Sequence, residues 1–383
     1  MRRLLLVVIA LIVYGSLYPW HFDFSPRVNP LAFLLHSWSF QWDRYLLRDV
    51  AVNVVLYIPL GAAAALTLAR KHRRAATAVP AILLGLVLSA SIEMVQIYVP
   101  GRQCSLLDVA TNVIGTAAGA GAALIFWPRW VWAKLSRQPG ERHAPASVFL
   151  LACWGGYQLY PFFPLLSRTR LRNGIEYVLH ASTISPVEIW AGAAEWGAAA
   201  LAIKILVGRL RLSWLVLAMA CLPVRILIAG RVLARDEVLG AALALLLWPA
   251  IDRALDLGGR PVLLAGILGS AIVLRELAPF HFSARPTSIS WVPFAATLGS
   301  PWQSAVLIVL RKAFDYAAAV WLVRRAGWSY GYAGALVACA LAALEAAQRY
   351  LPGHVPETTD AVLALLAAFV LWRLDSSRLL KFA

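Results

Sequence analysis

Two stretches of the chain repeat one polar pattern without a gap. Glu93-x-x-Gln96-x-x-x-Pro100-Gly101-Arg102 runs on to Asp108, and Glu345-x-x-Gln348-x-x-x-Pro352-Gly353-His354 runs on to Asp360. An arginine in a short turn can hold a carboxylate or a phosphate through two parallel N–H donors, which a lysine cannot do. A third polar pair, Arg48-Asp49-x3-Asn53, precedes the first pattern, and Asn112, Gly115 and Gly119 follow Asp108 at spacings of 4, 3 and 4. That spacing puts Asp108, Asn112 and the two glycines on one helix face. Glycines at such positions let a neighbouring helix approach closely. The economical arrangement gathers Asp49, Glu93 and Asp108 around Arg48 and Arg102 at one end of a helix bundle. Two uses are open for it: a polar pocket for an anionic ligand, or an ion-pair and amide network that locks the packing. Pro59-x-Gly61 would bend or loosen the helix beneath these groups.

The elements that position these side chains follow from composition. Of 383 residues 61% are hydrophobic and only 14% charged, against about 45–50% and about 25% in soluble domains. Mean hydropathy is +0.71. So much apolar surface needs lipid as solvent, and disorder, collagen and disulfide scaffolds are excluded. The fold class is therefore all-α, a polytopic membrane bundle. A span needs roughly 20 apolar residues. Candidates fall near 4–20, 48–69, 77–99, 106–127, 147–163, 189–207, 212–230, 235–251, 261–277, 304–322, 328–348 and 359–374, which makes twelve. The first could pass for a signal peptide, but Tyr18-Pro19-Trp20-His21-Phe22 follows it without a small-x-small cleavage site, so it reads as a retained span.

Thirty-five Lys and Arg stand against 19 Asp and Glu, a formal charge of +16. Placing both termini in the cytoplasm puts 19 of the basic residues in inside connections, including Arg70-Lys71-Arg73-Arg74, and 11 outside. This is the positive-inside bias, opposed locally by Arg168, Arg170 and Arg172. It makes basic loops a matter of topology and leaves no role for nucleic acid.

Tyr18-Pro19-Trp20-His21-Phe22 is echoed by Ala278-Pro279-Phe280-His281-Phe282 and by Tyr160-Pro161-Phe162-Phe163. Gly230-Arg231-x5-Glu237 matches Gly101-Arg102-x5-Asp108, with Leu222 and Arg225 standing where Glu93 and Gln96 would be. Three units of four spans are expected, at 1–140, 141–258 and 259–383. The first has the full motif set, the second is most altered and the third is partly retained, with Glu345, Gln348, His354 and Asp360 as counterparts.

The residues Arg48-Asp49-x3-Asn53, Pro59-x-Gly61, Glu93-x-x-Gln96 and Arg102-x5-Asp108-x3-Asn112-x2-Gly115-x3-Gly119 resemble the VanZ-like family of bacterial membrane proteins, over residues 1–127 and more weakly over 300–375. The resemblance implies a compact bundle in the cell envelope, named for a determinant of resistance to teicoplanin-type glycopeptides. It implies as partners the bilayer and a lipid-linked envelope intermediate or lipoglycopeptide. The third unit departs at His354, Ala364, Ala367 and Leu371. No HExxH, Walker loop or Ser–His–Asp spacing is present, and neither metal nor cofactor is expected. The alternatives are an integral-membrane enzyme of envelope lipids or polysaccharides, and, third, a transporter.

Overall fold

The computed structural model describes residues 2–38, 44–68, 78–126, 144–160, 167–180, 184–207, 219, 221–228, 231–256, 261–299 and 302–376. Side chains are not described at a few helix ends, including those of Arg48 and Asp49. The chain forms two compact units, Met1–Lys134 and Leu135–Ser376. Among the described residues all regular structure is helical, with one isolated bridge between Ser290 and Glu357.

The first unit contains α1 (Arg2–Ser16), α2 (Pro30–His36), α3 (Arg44–Leu68), α4 (Ala78–Gln96) and α5 (Leu106–Phe126). The short α2 is set by its cap: Pro30 occupies the first turn, and the Asn29 side chain accepts from the Leu31 and Ala32 amides. Such caps satisfy amides that have no partner inside the helix. The core of this unit is built from small residues, Ala64, Ala65, Ala81, Ala120 and Ala123, with Ile12, Tyr57, Leu60 and Ile92 in a second layer. Small side chains are what helices need to pack in lipid, where close van der Waals contact replaces the hydrophobic drive.

The closest approach is between α3 and α5. A Cβ at Gly115 would lie 2.2 Å from the Val54 carbonyl oxygen, one at Gly119 2.0 Å from that of Ile58, and one at Gly61 1.9 Å from that of Thr116. The absence of side chains on both helices is thus what permits the contact. Pro59 lies inside α3 and faces outward, and the helix continues past it to Leu68.

The second unit contains α6 (Ala144–Leu159), α7 (Arg168–His180), α8 (Pro186–Val207), α9 (Cys221–Ile226), α10 (Arg235–Asp256), α11 (Val262–Leu277), α12 (Ala295–Gly299), α13 (Trp302–Arg325), α14 (Tyr330–Gln348) and α15 (Thr359–Ser376). The alanine-rich α8 is buried through its middle, as Ala191, Ala194, Ala198, Ala199, Ala200 and Ala202 show; small apolar side chains let neighbouring helices close in around it.

Among the described residues five helices are long and apolar enough to cross a membrane: Ala78–Gln96, Leu106–Leu124, Pro186–Leu206, Arg235–Leu255 and Tyr330–Gln348. Of the other expected spans, 4–20, 147–163 and 261–277 appear as helices of 15 or 16 residues, and 304–322 carries Arg311, Lys312 and Asp315 near its middle. The expected span at 212–230 is represented by the six-residue α9, and residues 208–218 lie outside the described set.

Candidate functional site

The α4–α5 connection is fixed by its own backbone. The amides of Tyr98, Val99 and Arg102 donate to the carbonyls of Val95, Gln96 and Val99 at 3.0–3.1 Å. Gly101 closes the turn at φ 81°, in the left-handed region that a residue with Cβ avoids. The turn then clamps the end of α1: Gln96 Nε2 donates to the Ser16 carbonyl at 2.8 Å. Arg102 donates from Nε and Nη2 to the Tyr18 carbonyl at 3.3 and 3.2 Å, and Nη2 also reaches the Gly15 carbonyl at 3.5 Å. These carbonyls belong to the last turn of α1 and its exit, where helices leave acceptors unsatisfied and cations are favoured.

The buried Glu93 turns to the start of α5, where its Oε2 accepts the Ser105 amide at 2.9 Å. The Ser37 hydroxyl accepts the next amide, of Leu106, at 3.0 Å, and the Ser105 hydroxyl that of Asp108 at 3.4 Å. Glu93 thus caps the N-terminus of α5 from another helix.

Further down α5, Asn112 Nδ2 donates to the Ser89 hydroxyl at 2.9 Å, while its buried Oδ1 has no hydrogen-bond partner among the described residues. Asp108 and Asn53 are half-buried. The expected constellation is therefore brought to one end of the unit in part. Glu93, Gln96 and Arg102 each engage the ends of neighbouring helices, and Arg102 forms no ion pair with Glu93 or Asp108 among the described residues. The side chains of Arg48 and Asp49 lie outside the described set. Arg102 is exposed, and among the described residues its Nη1 has no hydrogen-bond partner.

The second unit holds two turns of the same make. At one, the amides of Tyr350, Leu351 and His354 donate to the carbonyls of Ala347, Gln348 and Leu351, with Gly353 at φ 86°. Gln348 Nε2 reaches Glu276 at its carbonyl (3.0 Å) and Oε2 (2.8 Å). His354 Nε2 meets the Ala278 carbonyl at 3.0 Å, and Glu345 Oε2 accepts the Glu357 amide at 2.9 Å. Apart from the bond to Glu276 Oε2, each of these contacts has its counterpart around Gln96, Arg102 and Glu93. The exits of α1 and α11 match as well: Trp20 and Phe280 sit at φ 58° and 65°, each after a cis X–Pro bond.

At the other turn, the amides of Leu227, Ile228 and Arg231 donate to Val224, Arg225 and Ile228. Arg231 Nη2 donates to the Tyr157 carbonyl at 3.1 Å. In this turn Glu237 accepts the Ala234 amide with Oε2 (3.0 Å) and the buried Arg225 with Oε1 (2.8 Å), and Arg225 also donates to Gln158 Oε1 (3.1 Å). Glu237, at the position of Asp108, thus does the amide capping that Leu222 cannot, and Arg225 replaces an amide contact by a charged one.

Residues 3–127, within the first unit, match the VanZ/LLP1 family. The N-terminal third of the chain is VanZ-like. No curated protein and no solved structure matches the chain. The VanZ-like match ends before the second unit begins, so the turns at Arg231 and His354 lie outside it.

Sequence reasoning passed over the most heavily charged region. Arg275 on α11 holds Glu188 through Nε and Nη2 (3.3 and 3.1 Å), and through Nη1 holds Glu195 (2.7 Å) and Asp315 (3.3 Å). Lys312 on α13 holds both oxygens of Asp360 at 2.7 and 2.8 Å, and the Tyr316 hydroxyl donates to the same carboxylate at 2.6 Å. Lys204 pairs with Asp252 at 2.5 Å. The signal was present: removing the loop residues from the 35 basic ones leaves Lys204, Arg225, Arg275, Arg311 and Lys312, all inside expected spans. Charges at that depth require partners. Among the described residues no group of three or more His, Cys, Asp or Glu side chains is arranged to hold a metal ion.

Proposed function

We propose that the chain is a VanZ-like integral membrane protein of the bacterial cell envelope, and that the α4–α5 turn of its first unit engages a polar or anionic envelope molecule, lipid-linked or of the glycopeptide type. The observation that carries this reading is the state of Arg102. The exposed Arg102 is pinned by main-chain carbonyls of α1 and its exit, and among the described residues its Nη1 has no hydrogen-bond partner. A cation held in place from behind and open in front pays little conformational entropy when it accepts an anion. The other two turns offer less: Arg231 is half-buried and His354 carries no obligatory charge.

In this reading the three turns descend from one four-span unit, giving twelve spans with both termini in the cytoplasm, and the second unit keeps the scaffold while losing the exposed guanidinium. The matching main-chain bonds at Arg102, Arg231 and His354 support that ancestry. Expression of the protein in a susceptible host, with Arg102→Ala and Asp108→Ala singly and at matched membrane levels, tests it. Both variants are expected to abolish the change in teicoplanin susceptibility. Full retention by Arg102→Ala would remove the proposed role of the turn.

A further inference from the structure

The end of α13, the start of α14 and the end of α15 form a basic, aromatic-rimmed surface that no contact in the preceding site uses. A cavity of about 450 Å3 opens between α14 and α15, lined by Tyr330, Gly334, Leu365, Ala368, Phe369 and Trp372. Ser329 joins it to a second cavity, of about 480 Å3, that Trp328 and Tyr332 border. Leu365, Trp372, Trp328 and Tyr332 are exposed. Trp and Tyr collect at the headgroup level of membrane proteins, so this end of the helices lies at the bilayer surface with an apolar groove running inward from it.

Cations surround the mouth. The Arg324 guanidinium lies over the Tyr330 ring at 5.5 Å, that of Arg373 over Trp372 at 5.3 Å, and that of Arg325 over Trp321 at 5.4 Å. Two of the rings that carry an arginine, Tyr330 and Trp372, are themselves walls of the groove. Against these three cations the described acid is Asp375, whose Oδ2 accepts the Tyr330 hydroxyl. Among the described residues the Nε groups of Arg325 and Arg373 have no hydrogen-bond partner.

We propose that this groove is a binding site for an anionic phospholipid: an acyl chain lies along Gly334, Leu365 and Ala368, and the phosphate is held by Arg324 and Arg373. The apolar trough suits the chain and the excess of cations suits a negative headgroup. A zwitterionic lipid would fill the trough but leave that excess uncompensated.

Native mass spectrometry of the purified full chain, stripped of lipid and then offered phosphatidylglycerol or phosphatidylcholine at equal concentration, tests the site. The wild type is expected to retain phosphatidylglycerol preferentially. Each arginine near an anionic surface contributes roughly fivefold, so the double variant Arg324→Gln/Arg373→Gln is expected to lose about 25-fold in apparent affinity for phosphatidylglycerol and little for phosphatidylcholine. Leu365→Trp, at an exposed position that tolerates bulk, is expected to reduce retention of both lipids. The pair Arg168→Gln/Arg172→Gln on α7 removes the same charge from another exposed helix and is expected to leave the preference intact. Absence of a headgroup preference in the wild type would overturn the proposal. So would a preference that survives the Arg324/Arg373 variant, or one that the α7 variant abolishes.

Discussion

Gly119→Ala is the sharpest perturbation of the frame that carries the turn. The added Cβ would sit 2.0 Å from the Ile58 carbonyl oxygen and 2.8 Å from its carbon, whereas real Cβ atoms keep at least 3.0 Å from their neighbours. The obstacle is backbone on a facing helix, so no side chain can rotate away, and α3 and α5 must part by about 1 Å. Overpacking costs about 1–3 kcal/mol where side chains can yield; a backbone-to-backbone clash belongs at the top of that range, about 3 kcal/mol. At about 2–4 °C per kcal/mol, the unfolding midpoint of detergent-purified protein should fall by about 6–12 °C. Gly121→Ala is the internal control, because nothing lies within 4 Å of a Cβ there. It should be neutral or slightly stabilising, since Ala is the better helix former by up to about 1 kcal/mol. Equal midpoints for the two variants would refute the tight α3–α5 contact.

Arg275→Met leaves Glu195 and Asp315 buried without their cation, an error that costs about 3–5 kcal/mol, and chemical denaturation should show it. Adding Glu195→Gln and Asp315→Asn to that variant should recover most of the loss; failure to recover would mean that charge is not what Arg275 supplies. Glu93→Ala should lower the thermal midpoint by the equivalent of about 1–2 kcal/mol, because the Ser105 amide loses its acceptor. Glu93→Gln keeps a carbonyl oxygen there and should cost about half as much. A larger loss with Gln than with Ala would contradict the capping role.

The polar pattern was legible because a turn that must cap one helix and clamp another needs fixed residues at fixed spacing. Glu93 and Ser105, or Glu345 and Glu357, stand 12 positions apart in both copies and make the same bond. The glycine face was legible for a similar reason: close helix approach leaves no choice of side chain at Gly115 and Gly119. What the pattern could not give was direction. Arg102 beside two acids suggested ion pairs, yet its donors go to the α1 carbonyls, which carry no sequence signature. The middle turn was harder to read because its chemistry had moved. Arg225 and Glu237 together do what Gln96 and Glu93 do elsewhere, and single-position matching sees only substitutions. The Arg275 and Lys312 networks join helices 40 to 87 positions apart in sequence, so no local spacing announced their pairing.

Equilibrium binding to purified protein tests the central claim most directly, with teicoplanin and a polyprenyl-phosphate-linked envelope intermediate as the two probes and wild type, Arg102→Ala and His354→Ala as the three proteins. The account predicts that the wild type binds at least one probe, that Arg102→Ala weakens it by about tenfold or more, as loss of a charge-assisted hydrogen bond does, and that His354→Ala leaves it unchanged. Equal binding by wild type and Arg102→Ala, or no binding of either probe by the wild type, would contradict it.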